Sequence, residues 1–412
     1  MNNNDMYARN WEKTGRPAQE QSSGQFSYGS QMPTAVQGPT SGPHDAAIVS
    51  AMMSDPTIAG LMADETVNDV LINGTKSIYI ERRGKLERLN ATIPSDAAVL
   101  KLAEEIAAQT GKRINMNRPL LDTRLSDGSR VNIIAPPLAV DGTTISIRKF
   151  SKQSITLDMM AINGNMSSQM ADFLKVCSAC RLNILISGGT GSGKTTLLNA
   201  ISQFVSEDER VVTIEDAAEL KLQQPHVVRL ETRPYNGGVI DKEEEVTMRD
   251  LVKNALRMRP DRIIVGEVRG EEAFDLLQAM NTGHEGSFST VHANHPRDAL
   301  SRITNMVNMA NLGVPVNAIR GQIASAINLI VQISRMRDGK RRLAFVSEIV
   351  GMESDVITMQ DLFVFKQSGE NSTGDIQGTF EWTGIMPRFL RRAQYYNQGD
   401  QLSQVLGVKI NN

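Results

Sequence analysis

One run of nine residues constrains the chain more than any other: Gly188-Gly189-Thr190-Gly191-Ser192-Gly193-Lys194-Thr195-Thr196. It satisfies G-x-x-x-x-G-K-[ST], the pattern of a phosphate-binding loop. Glycines let the backbone curl until several N–H groups point at one anion. Lys194 adds a cation for the β- and γ-phosphates, and the Thr195 hydroxyl is a candidate Mg²⁺ ligand. The flanks fit. Asn183 to Ser187 is an apolar run with the length of a buried strand, and Thr196 to Ile201 starts a helix whose positive end would face the anion. A strand–loop–helix unit of this kind belongs to an open α/β sheet.

The rest of the chain has room for more. Its 412 residues are enough for two to three domains. Lys plus Arg is 44 and Asp plus Glu 46, a net charge of −2, and aromatics are 5%. That balance lacks the basic field and stacking platforms of a nucleic-acid binder, so no direct nucleic-acid partner is expected. Two cysteines make no disulfide framework and suit a reducing compartment. The N-terminus lacks a signal pattern, and the longest apolar-rich run, near Gln322 to Ser334, is too short for a bilayer. The expectation is a cytoplasmic protein that meets membranes only through partners.

Residues 1–45, rich in Asn, Gln, Ser, Gly and Pro, read as a disordered tail. Residues 46–150 read as a first α/β domain. Val67–Leu71 and Ser77–Glu81 are strands around an Asn73-Gly74 turn, and Ser95 caps a helix running to Ala108. Leu121–Leu125 and Ser129–Ile134 flank an Asp127-Gly128 turn, and a second hairpin turns at Asp141-Gly142 and ends at Phe150. Arg124, Arg130 and Arg148 lie within these strands. They either alternate out to solvent or project into a cleft shared with the next domain, where planar guanidiniums suit phosphate. Residues 151–166 read as a linker, 167–395 as the phosphate-loop domain with a C-terminal hairpin, and 396–412 as a frayed tail. In the helix Ser167 to Cys180, the Cys177-x-x-Cys180 pair closes the helix and has no second pair, so core packing is its reading rather than zinc or redox chemistry.

Downstream of the loop, Arg210 to Asp216 is a strand ending in Glu215 and Asp216, with Glu219 nearby. Ligands of open α/β sheets sit at such strand ends, where a carboxylate can hold Mg²⁺ or orient water. Asp216 could equally cap a following helix. Leu251, Ala255 and Met248 are the inward residues of a helix over Thr247–Arg257. Ile263-Ile264-Val265-Gly266-Glu267 is another β-branched run ending in an acid. Thr282-Gly283-His284 to Thr290-Val291-His292 places one histidine on each side of a short strand, and Arg341 to Gly351 reads as an edge strand.

Taken in order, the loop, Thr213-Ile214-Glu215-Asp216, Gly266-Glu267-Val268-Arg269 and Thr-Gly-His…Thr-Val-His resemble the motifs of the secretion ATPases of type II and type IV systems and type IV pili. Asp122 to Asn132, Ile147 to Phe150 and Gly384-Ile385-Met386-Pro387-Arg388-Phe389 resemble one subgroup, the CpaF-like ATPase of tight-adherence (Tad/Flp) pili. The tetracysteine module of many type II members is missing. The resemblance implies an N-terminal α/β domain and a C-terminal RecA-like domain, with ATP and Mg²⁺ between them. It implies a homohexamer at the cytoplasmic face of the bacterial inner membrane that drives an integral-membrane platform protein. By motif, residues 188–196 bind phosphates, and Thr195, Glu215 and Glu267 handle metal and water. Arg130 and Arg148 reach the phosphates from the N-terminal domain, and His284 and His292 form the histidine pair. A type IV secretion or conjugation ATPase is the alternative within the family. A RecA-like nucleic-acid motor and a non-hydrolytic ATP-gated scaffold are weaker rivals, and no N-K-x-D segment supports a GTPase.

Overall fold

The computed structural model describes residues 55–82, 84–150, 155–234 and 244–408. The expectations for residues 1–45 and for the last four residues fall outside these ranges. Two sheets build one compact body.

The N-terminal domain opens with α1 (Pro56–Ala63), capped by the Asp55 carboxylate, which accepts from the N–H groups of Thr57 and Ile58. Six antiparallel strands follow: β1 (Val67–Asn73), β2 (Ser77–Arg82), β3 (Lys85–Leu89), β4 (Leu120–Arg124), β5 (Arg130–Ile134) and β6 (Thr144–Arg148), ordered β3-β2-β1-β6-β5-β4. Between β3 and β4 runs α2 (Asp96–Gln109), with Ser95 as N-cap. Strand alternation sends Val70, Ile72, Ile80, Val131, Ile133, Ile145 and Ile147 to one face. There they share a core with Val99, Leu102 and Ile106 of α2. The opposite face mixes charged and polar side chains with Leu71, Tyr79, Leu120 and Ile134.

The second sheet has nine strands: β7 (Ile184–Gly188), β8 (Val211–Glu215), β9 (Val227–Glu231), β10 (Arg262–Val268), β11 (Phe288–His292), β12 (Leu329–Arg335), β13 (Arg341–Glu353), β14 (Val356–Glu370) and β15 (Ile376–Trp382). Their order is β15-β14-β13-β12-β7-β11-β10-β8-β9. Pairing from β12 through β9 is parallel, and from β12 to β15 antiparallel. Every residue of β7 and β8 is buried, as parallel strands between helical layers should be. Covering helices include α4 (Ser168–Ala179), α5 (Lys194–Ser202), α6 (Met248–Ala255), α7 (Glu272–Asn281), α8 (Pro296–Met309) and α9 (Val316–Ala326). In α6 Met248, Val252 and Ala255 are buried, and Leu251 packs partly buried against the same core.

Several expectations fail for physical reasons. The supposed linker contains α3 (Leu157–Ile162), because Thr156 caps it and Leu157 and Met160 are buried; Asn163 and Gly164 merely end it. The Gln- and Asn-rich terminus forms α11 (Gly399–Leu406) after α10 (Leu390–Tyr395). Leu402 and Leu406, four apart, bury one face of α11, and Gln169 of α4 donates to the Val405 carbonyl at 2.8 Å. β13 is interior, between β12 and β14, not an edge. The cysteine expectation holds: Cys177 and Cys180 are wholly buried, and burial pushes the Cys177 thiol well up and that of Cys180 to about 11, so they pack as small hydrophobes.

Candidate active site

The phosphate loop leaves the sheet at the end of β7. A Cβ on Gly188 would lie 2.4 Å from both the Ile333 carbonyl oxygen and Ser192 Oγ, so only glycine fits. Gly193, at φ +98°, turns the chain into α5 and has no side chain to cap it. The first N–H groups of α5 are therefore offered to an anion. Ser192 Oγ donates to the Gly189 carbonyl at 2.9 Å, and Lys194 Nζ donates to the same oxygen at 3.2 Å. Lys194 Nζ also stands 3.7 Å from Glu267 Oε1. Burial lowers the Lys194 pKa below its ordinary value, with Glu267 opposing and the Arg269 and Arg148 charges reinforcing the shift.

The two carboxylates foreseen as a pair do different work. Glu215 Oε2 accepts from the N–H groups of Glu219 (2.8 Å) and Leu220 (3.0 Å), so this side chain folds the loop after β8. No helix follows, and Asp216 is not an N-cap. Burial raises Glu215 to about 7. Glu267 is instead gripped by Arg269, whose Nε and Nη2 donate to Oε2 at 2.9 and 2.6 Å, leaving Oε1 toward Lys194. Arg269 also donates to Asp216 Oδ2 at 2.9 Å and so ties the two acidic strand ends together. It stood in the quoted motif without a role. Its position two residues after Glu267, with side chains of opposite charge, was the available signal.

Facing this sheet is the side of the N-terminal one turned away from its own core. Register pairs Arg124 with Arg130, Arg130 with Arg148, Arg148 with Asp69 and Asp69 with Glu81. Directly opposed residues share a face, so these five form a single rung across β4, β5, β6, β1 and β2. Three adjacent arginines on one rung repel each other, which costs roughly 0.2–1 kcal/mol per pair unless anions answer them. Glu219 is one such anion, with Oε1 at 2.9 Å from Arg130 Nε. Arg124 Nη1 donates to the Ala218 carbonyl at 3.0 Å. The solvent-facing reading of these arginines is therefore wrong for Arg124 and Arg130, which contact the opposite sheet's loop.

Between the two walls lies a cleft of about 640 Å³. Residues 190–196 line it together with Glu215, Glu267, Arg130, Arg148 and His292, and also Asp216, Glu219, Arg269 and Arg302. Gly188 and Gly189 are not among its lining residues. His292 ends β11 beside Gly188, which explains its place. His284 does not line the cleft: it precedes β11, so it stands at the other end of the strand, with its N–H on the Ala279 carbonyl. A strand of five residues separates its two ends by roughly 15 Å. Among the described residues no group of three or more His, Cys, Asp and Glu forms a metal site. The donors present, the Thr195 hydroxyl and the carboxylates of Glu267 and Glu215, are hard oxygens. They suit a Mg²⁺ that completes its shell with phosphates and water.

This arrangement defines a RecA-like P-loop protein carrying an added N-terminal α/β domain. A family model described as type II/IV secretion system protein matches residues 52–370, and the chain belongs to that family. A putative conjugal transfer protein of Mycobacterium tuberculosis (strain ATCC 25618 / H37Rv) is 38% identical over 302 residues, covering 72% of this chain and 84% of the relative. The type IV secretion system protein VirB11 of Bartonella henselae is 31% identical over 320 residues, covering 69% and 88%. The solved ATPase DotB of Yersinia pseudotuberculosis shares the fold, with a TM-score of 0.52 at 17% identity over 73% of this chain and 79% of its own. No helix among the described residues is long and apolar enough to cross a membrane.

Proposed function

We propose that this chain is a motor ATPase that hydrolyses ATP between its two domains. The observation that carries the reading is the arginine rung of one sheet facing Lys194 and the phosphate loop of the other across one cleft. The backbone N–H groups of the loop and Lys194 hold the phosphates. Arg130 and Arg148 stabilise charge on the transferring phosphoryl group, and Glu267, held by Arg269, orients the attacking water. Mg²⁺, when bound near Thr195, neutralises phosphate charge. Because the arginines belong to a separate domain, hydrolysis and release alter how that domain is held, which couples chemistry to movement.

In this reading the protein works as a homohexamer at the inner face of the bacterial inner membrane, pushing on an integral-membrane platform protein to assemble a Tad/Flp-type pilus. The relatives named as conjugal transfer and VirB11 proteins favour a second reading, a traffic ATPase of type IV secretion. Loss of surface pili on deletion supports the first, and loss of plasmid or effector transfer supports the second. The chemical claim is tested by steady-state phosphate release with native mass measured alongside. Lys194→Ala should abolish turnover; release at the wild-type rate in that variant sinks the assignment.

A further inference from the structure

The charged rung does not stop at Arg148. Beyond Asp69 it reaches Glu81, and Glu81 points at two arginines of the other sheet. Its Oε1 is 3.3 Å from Arg341 Nη2 and its Oε2 4.0 Å from Arg335 Nη1. These arginines are register partners at the base of the β12–β13 hairpin, which turns at Asp338-Gly339. The same Arg341 side chain reaches back to the nucleotide side, where its Nε donates to the Gly191 carbonyl at 2.8 Å. Arg335 donates to the Gly84 carbonyl in the β2–β3 turn. The contact is close-fitting as well as charged. A Cβ on Gly84 would sit 3.0 Å from the Gly339 carbonyl oxygen and 3.6 Å from Arg341 Nη1.

We propose that Arg341 is a positioning residue for ATP turnover, its guanidinium joining the phosphate loop at Gly191 to Glu81 of the N-terminal sheet so that loop and arginine rung are set together. The proposal rests on the motor reading above. One planar group serves two acceptors in two domains, a task for a fork of fixed geometry and not for a point charge. The electrostatics run the same way. Asp69 lies between Arg148 and Glu81 on the rung, and its carboxyl is pushed up by burial, with the Arg148 and Arg341 charges opposing. Arg148 and Arg341 therefore act on one acidic couple. Removing Arg341 leaves Glu81 with the more distant Arg335 and leaves Asp69 drawing on Arg148, which pulls that side chain back from the cleft. Withdrawing the N-terminal domain breaks the Glu81 contact and releases a guanidinium bound to the loop. A surface ion pair with no partner on the loop would carry no such consequence.

The test is steady-state ATP turnover by the full-length protein for Glu81→Gln, Arg341→Ala, Arg341→Lys and the double variant Glu81→Gln/Arg341→Ala. Glu81→Gln is isosteric and touches no cleft residue. It should lower kcat about tenfold and leave KM for ATP within about threefold, because phosphate binding by the helix start persists while the opposing arginines lose their setting. The double variant should be no slower than Arg341→Ala, since both changes break one linkage, and Arg341→Lys should not restore the rate. Wild-type kcat in Glu81→Gln, or additive losses in the double variant, overturns the proposal while leaving the motor reading standing. A wild-type protein that binds ATP without turning it over sinks the motor reading instead, and with it this one.

Discussion

The wall supplied by the parallel sheet and the wall supplied by the antiparallel sheet meet an anion with different groups. On the parallel side the donors are backbone N–H groups between Gly188 and the first turn of α5, joined by one lysine. They are neighbours in sequence and cannot move apart. On the antiparallel side the donors are guanidiniums on three strands, 24 residues apart from Arg124 to Arg148, gathered by register alone. A slip of one residue would send Arg130 into the core and Val131 toward the cleft. The first wall is set by one short run of the chain; the second exists only through the pairing of its strands. In the proposed motor, a cleft so divided would separate holding phosphate from acting on it.

That division can be broken by removing single members of the antiparallel wall. Arg148→Ala should lower kcat by about 100-fold, the usual loss for one charge-stabilising donor, with the circular dichroism spectrum and Tm unchanged. Unaltered kinetics would return Arg148 to the status of a surface charge.

A smaller effect should come from the fixed wall. Burial raises the Glu215 pKa to about 7, so near neutral pH a substantial fraction of the free protein carries a proton there. Binding a cation close by favours the ionised form. Calorimetry of Mg·ATP binding in buffers of different ionisation enthalpy should then detect proton release around pH 7, fading as pH rises well above it, and Glu215→Gln should abolish it. The linkage sign for stability is opposite to that of a salt-bridged carboxylate. A raised folded-state pKa contributes stability that is full below the unfolded value and is lost as pH climbs through about 7. No release in either protein would show that Glu215 stays out of cation binding.

The smallest change is expected at Arg124. It shares the rung with the other two arginines but donates to the Ala218 carbonyl, so Arg124→Ala should cost about 1 kcal/mol of stability in a denaturant melt. Turnover should stay within about threefold. A loss as large as that of Arg148→Ala would mean that the whole rung, not two of its members, faces the phosphates.

The parts readable from the chain were those whose information lies within a few residues. The loop at 188–196 is one; Ser95 as a cap, the helix starting at Ser167, the Asp127-Gly128 hairpin and the β-branched runs of β8 and β10 are others. Backbone geometry and side-chain period act over that distance, so the residue types declare themselves. Arg130 and Arg148 stood out in their strands, but whether they faced water or a cleft was left open by pattern alone. Only tertiary structure decided that Arg124, Arg130, Arg148, Asp69 and Glu81 form one rung, because β1 and β6 pair across more than 70 residues of chain and no local run fixes that register. It also decided that Glu215 turns to its own loop, that His284 stands at the far end of β11 from His292, and that Arg341 joins Gly191 to Glu81. These are meetings between segments as much as 260 residues apart. The free energy that selects them comes from packing two sheets together, and no local run of residues carries it.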